Sequence, residues 1–143
     1  MADLVRSFRL DAHGLERMLG ELEAAIMEHL WKQEQATIGE VHEHLSQQRE
    51  LAFNTVMTVM NRLVGKGLLL RTRGGRQYRY RPALDRSAFL TGVAHDVARG
   101  MVGDLRDFAV AEFAAAVAEV EPEKLDELER LVAEWKARRD GLE

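Results

Sequence analysis

Apolar residues recur at spacings of three and four through "LGELEAAIMEHLWKQ", where Leu19, Leu22, Ile26 and Leu30 fall on one stripe. This is the periodicity of an amphipathic helix. In the next stretch, "ATIGEVHEHLSQQ", Thr37 precedes Glu40, Val41 and Leu45. Threonine with glutamate three positions on has capping-box spacing and predicts a second, shorter helix. A third helix starts near Ala52 or Phe53 and ends before Gly67, with Gly65 and Gly67 as stop signals. The period then changes: "LLLRTRGGRQYRYRP" reads as two short runs around Gly74 and Gly75, closed by Pro82. Gly-Gly between such runs predicts a two-residue hairpin, because both glycines accept positive φ. Alternation along the return run puts Tyr78 and Tyr80 on one face and Gln77, Arg79 and Arg81 on the other. The expected hairpin is apolar on one side, where the tyrosines anchor it to the core, and cationic on the other.

From Asp85 onward the pattern is helical again, through "DRSAFLTGVAHDVARGMV", "DLRDFAVAEFAAAVAEV" and "EPEKLDELERLVAEWKARRD", with Pro122 near a helix start. Leu125, Leu128, Leu131, Val132 and Trp135 form a stripe on the last of these. Three such helices with few turns between them cannot bury their apolar faces alone. They are expected to bury them against a second copy of the chain, with Phe108 and Phe113 in support. The order helix, helix, helix, hairpin is that of a winged helix-turn-helix. The expected fold is mainly α: an N-terminal extension at 1–18, a winged-helix DNA-binding domain at 19–84 and a helical dimerisation domain at 85–143.

Composition sharpens this picture in two places. The 143 residues include no cysteine, which removes thiolate metal sites, and no apolar run reaches the roughly 18 residues of a membrane span. The N-terminus is broken by charge every few positions and does not read as a signal peptide. A soluble, cytoplasmic protein is expected. The net charge of −4 hides a strong asymmetry: Leu51 to Ala83 holds seven basic residues and no acid, inside flanks that are both acidic. A block of that sign attracts anions whatever the net charge of the chain.

Asn54 and Asn61, the only two asparagines in the chain, lie in the third helix. At about 100° per residue, with Asn54 at zero, Asn61 falls near −20°, Thr58 near +40°, Arg62 near +80° and Thr55 near +100°. Val56, Val59, Met60 and Leu63 occupy the opposite arc. Short side chains that donate and accept suit base edges, since Asn bonds adenine N6 and N7 and Thr offers a hydroxyl or a methyl. Candidate base readers are therefore Asn54, Thr55, Thr58 and Asn61. Candidate phosphate contacts are Arg62 and Lys66 on the helix and Arg71, Arg73, Arg76, Arg79 and Arg81 on the hairpin. Asn and Thr also occur on merely solvated faces and exposed strand charges can simply protect an edge. Both are poor helix formers, however, and five arginines in eleven residues with no acid exceed what an edge requires.

Taken together, "LGELEAAIMEHLW", "TIGEVHEHL", "LAFNTVMTVMNRLVGKGLLLRTRGGRQYRYRP" and "DRSAFL" resemble the penicillinase-repressor (BlaI/MecI) family of winged-helix repressors, from about Leu19 to Leu90. The resemblance implies a homodimer on a dyad-symmetric operator, with the tail helices as dimer module. It also implies a sensor-linked protease that relieves repression by cutting the tail, commonly at an Asn-Phe bond. This chain has no Asn-Phe; Asp107 precedes Phe108 and Glu112 precedes Phe113. Relatives that sense copper carry tail cysteines, which this chain lacks, and Met57 stands where some relatives place Arg.

Other chemistries fare worse. His42 and His44 lie about 200° apart on a helix and cannot share an ion. His29 sits near the first apolar stripe as a partly buried histidine, and His13 and His95 have no partner at ligand spacing. No phosphate loop, nucleophile elbow or cysteine nucleophile is present, so no enzyme, metal or cofactor is expected. The main competitor is a winged helix that docks proteins instead of DNA. Such a module would more readily expose large apolar anchors than Asn and Thr. RNA is a further rival, since a wing can also contact it.

Overall fold

The computed structural model describes residues 19–141, so the expected N-terminal extension at 1–18 lies outside the described residues. Six helices and one hairpin follow in the order α1 (Glu21–Gln33), α2 (Ile38–Leu45), α3 (Phe53–Gly65), β1 (Leu69–Gly74), β2 (Gln77–Pro82), α4 (Arg86–Leu105), α5 (Asp107–Val120) and α6 (Lys124–Gly141). The fold is mainly α, with a winged helix-turn-helix at its head.

Ile26, Met27 and Leu30 of α1, Val41 and Leu45 of α2, and Val56, Val59, Met60 and Leu63 of α3 form one buried core. Each set recurs at helical spacing, so burying these stripes against one another is what packs the three helices. Local chemistry fixes the ends. Thr37 caps α2 by accepting from the Glu40 amide at 3.2 Å. After α3, Gly67 takes φ +79°, while its own amide bonds the Val64 carbonyl and that of Leu68 bonds the Leu63 carbonyl, both at 3.0 Å. This is a Schellman ending, in which Gly67 supplies the left-handed residue.

The antiparallel hairpin pairs Leu69 with Pro82 and Gly74 with Gln77. It turns at Gly75 and Arg76, one residue later than the Gly-Gly pair predicts. Only Gly75 needs positive φ (+70°), whereas Gly74 is an ordinary strand residue. Ala36, in the loop between α1 and α2, bridges Tyr80 through two backbone hydrogen bonds of 2.8 and 3.0 Å. That bridge fastens the return strand to the body of the domain.

Asp85 caps α4 by accepting from the Ala88 amide at 2.7 Å. Phe89 and Val93 on its first turns join the core, Phe89 tilted against Trp31 at 5.4 Å. The Trp31 indole donates to the Leu84 carbonyl at 2.9 Å, and Arg86 Nε donates to both Glu28 oxygens at 3.1 Å. By its internal contacts the chain divides into one compact unit that runs to Val97 and a second that begins at Ala98. Within that second unit α5 and α6 are amphipathic or apolar yet almost wholly uncovered. Ala109 is the buried residue of α5, and α6 has none.

Candidate nucleic-acid interface

The face of α3 opposite the core carries Asn54, Thr55, Thr58 and Arg62, all exposed. The arrangement follows from helical geometry: Val56, Val59, Met60 and Leu63 turn inward, so these positions must turn out. No acid occupies the first turn of α3. Its start is held by His42, which donates from Nε2 to the Leu51 carbonyl at 2.7 Å and meets the Phe53 ring edge-on at 5.7 Å. Thr58 donates its hydroxyl proton to the Asn54 carbonyl at 2.8 Å. It therefore keeps its oxygen lone pairs and its methyl for an incoming partner. Among the described residues the Asn54 and Thr55 side chains make no hydrogen bond to the protein.

Asn61 is placed otherwise. It is half-buried, and its Oδ1 accepts from Arg71 Nη1 and from the Tyr80 hydroxyl, each at 3.0 Å. Guanidinium only donates, so the amide oxygen must be the atom that faces Arg71. Bidentate adenine bonding needs that same oxygen, and the expected base-reading role for Asn61 does not fit this engagement. Angle alone groups it with Asn54; the wing, which arrives from elsewhere in the chain, separates the two.

The cations divide in a similar way. Glu23 of α1 is buried beneath the end of α3, where Lys66 reaches it at 2.9 Å and Arg62 at 3.9 Å. Lys66, expected on phosphate, is thus held by a buried carboxylate. Sequence reasoning missed Glu23, although its position three before Ile26 and four after Leu19 puts an acid inside the apolar stripe, and a buried acid requires a cation. Arg79 lies 3.7 Å from Glu40. Among the described residues Arg73, Arg76 and Arg81 form no ion pair and no side-chain hydrogen bond.

The hairpin does not sort into an apolar and a cationic side. Directly paired residues share a face of a sheet, so the register puts Arg71 beside Tyr80 and Arg73 beside Tyr78 on one face, with Arg79 and Arg81 on the other. Alternation along one strand could not show this, since it leaves the partner strand's contribution open. Tyr80 is 1% exposed and anchors the wing, whereas Tyr78 is 44% exposed with the Arg71 guanidinium 4.6 Å over its ring.

The histidines also meet across elements. His29 of α1 and His44 of α2 stack at 3.9 Å with 16° between ring planes. Burial first, then the neighbouring His44 and Lys32, hold His29 below the ordinary histidine value of 6.5, with Glu40 opposing. Stacked rings do not converge on a common point, and this pair is a packing contact.

On the tail, Phe108 is 77% and Trp135 65% exposed. Phe113, Leu125, Leu131 and Val132 are exposed as well, and Leu128 is half-buried. Leu128, Leu131, Val132 and Trp135 line an apolar groove of about 550 Å³ edged by Lys136 and Arg139.

The chain is 40% identical to the transcriptional regulator BlaI of Mycobacterium tuberculosis, over 83% of this chain and 86% of that one. It is 25% identical to the penicillinase repressor of Bacillus licheniformis, over 85% and 94%. A solution structure of monomeric Bacillus licheniformis BlaI in complex with the blaP half-operator is similar over 48% of this chain and 84% of that one, with 30% identity and a TM-score of 0.43. The sequence profile described as penicillinase repressor matches residues 19–134, and on that match the chain belongs to the penicillinase repressor family, whose members are non-enzymatic DNA-binding transcriptional repressors.

Proposed function

We propose that this repressor acts as a homodimer on a dyad-symmetric operator, with α3 of each protomer in the major groove and each wing on the DNA backbone. The observation that carries the reading is the outward face of α3, where Asn54, Thr55 and Thr58 offer short polar side chains with no acid among them. Asn54 has both halves of its amide for adenine, Thr55 offers a hydroxyl, and Thr58 offers an acceptor oxygen and a methyl. Arg73, Arg76 and Arg81 take phosphates, and the exposed side of Arg62 takes another. Lys66 and Arg71 are engaged within the protein and contribute field more than contact, whereas Arg79, only loosely paired with Glu40 at 3.7 Å, stays available to a phosphate. A cytoplasmic location follows from the need to reach the chromosome, and no described helix is long and apolar enough to cross a membrane.

Dimerisation falls to the tail, through Phe108 and Phe113 of α5 and Leu125, Leu128, Leu131, Val132 and Trp135 of α6. Apolar side chains in such number remain uncovered on a protein only where something docks. A sensor-linked protease, the partner that family resemblance brings, would meet Asp107 and Glu112 ahead of the two phenylalanines instead of Asn.

Asn54→Ala is the test. Binding to the cognate operator should fall by about 1 to 3 kcal/mol while binding to random duplex stays nearly constant, because base contacts specify and phosphate contacts do not. Equal losses on both duplexes, measured by fluorescence anisotropy, would remove Asn54 from base reading.

A further inference from the structure

We infer that Asn61 is a positioning residue for DNA binding, a tether that sets the angle between α3 and the wing so that both reach the duplex together. The inference rests on the major-groove reading of α3. Both lone-pair directions of Asn61 Oδ1 are occupied, one by Arg71 from β1 and one by Tyr80 from β2, each at 3.0 Å. These donors are directly paired in the hairpin register, so a single amide oxygen grips both strands at the same rung. Tyr80 is buried and cannot itself touch DNA. Beyond this rung the wing becomes exposed: Arg73, Gly74, Gly75, Arg76 and Tyr78 are all solvent-facing.

A two-stranded hairpin is marginal by itself, so its direction depends on where the body holds it. The Ala36 bridge and the buried Leu69 hold its base. On its other face Arg79 reaches Glu40 at 3.7 Å with both side chains substantially exposed, a pair of the kind that constrains little. Asn61 is consequently the outermost firm hold, and it stands on the recognition helix itself. A wing held there moves with α3. Arg71 is fixed further by stacking over Tyr78 at 4.6 Å, which leaves Arg76 at the turn to report where the wing tip goes.

The test is a double-mutant cycle on the intact protein, read as operator affinity and its salt dependence, with Asn61→Ala and Arg76→Ala apart and combined. Asn61→Ala should weaken operator binding roughly three- to tenfold. In that background Arg76→Ala should lose most of the effect it has in the wild type, because the tip no longer rests on the backbone. Tyr80→Phe, which keeps the core, should reproduce part of the Asn61→Ala loss and reduce the Arg76 effect in the same direction. Additive losses from Asn61→Ala and Arg76→Ala would overturn the inference, whether Asn61 reads a base or only stabilises the fold. A null Arg76→Ala in the wild-type background would instead refute the wing's phosphate contact, which is a failure of the underlying reading and not of the tether.

Discussion

Lys66 and Glu23 meet from far apart in the chain. The Glu23 carboxylate is buried and its close cation is Lys66 at 2.9 Å, with Arg62 further off at 3.9 Å. Lys66→Met should then lower unfolding free energy by about 1 to 3 kcal/mol, since a buried carboxylate loses its main partner. The slope of operator binding against salt should stay unchanged. Urea unfolding and salt titrations of the same variant measure the two; a lower slope with intact stability would return Lys66 to the phosphates. His29 carries a pH dependence of definite sign. Its folded pKa lies below 6.5 through burial, His44 and Lys32, so the unfolded chain binds the proton more readily. Its contribution to stability is complete above about 6.5 and is lost as pH falls from there through the lower folded value. Thermal unfolding should show a melting temperature that drops as pH falls below that point, with the drop reduced in His29→Asn. The outward position of Asn54, Thr55 and Thr58 was legible from helical angle, because the inward stripe of α3 is unambiguous. Asn61 and Glu23 were not, since each is defined by a group 10 to 43 residues away.

At the scale of elements the wing is the part whose register matters most. Three helices, a hairpin and their order could be read from periodicity, and the Thr37 cap from spacing, because these depend on neighbours in the chain. Faces of the hairpin could not, because they depend on which residue of β1 lies opposite Tyr80, and that residue is Arg71. The turn itself tests cheaply. Gly75→Ala places a Cβ at φ +70° and should cost about 1 kcal/mol, whereas the neighbouring Gly74 takes ordinary strand geometry and is no such position. Differential scanning calorimetry of Gly75→Ala checks the value; an unchanged melting temperature would mean that the turn relaxes. Arg76, next to it, has no ion-pair partner among the described residues. Arg76→Ala should weaken operator and random duplex alike and lower the salt slope by roughly one counterion.

For the whole molecule, the role proposed for the tail is to hold two half-sites together, where a single protomer would hold one alone. Its helices were legible from their apolar stripes. That Phe89 and Val93 on the first turns of α4 join the winged-helix core was not, because their partners lie far back in the chain. Leu128→Glu puts a charge into the groove formed with Leu131, Val132 and Trp135 and should give monomers in analytical ultracentrifugation, with operator affinity falling by orders of magnitude as the second half-site loses its tether. The most direct measurement is a titration of the intact protein against a genome-selected operator duplex and a scrambled duplex of equal length at one physiological salt concentration. The account predicts two protomers per operator and a preference of at least about a thousandfold over the scrambled sequence; one protomer per duplex, or equal affinity for both sequences, would contradict it.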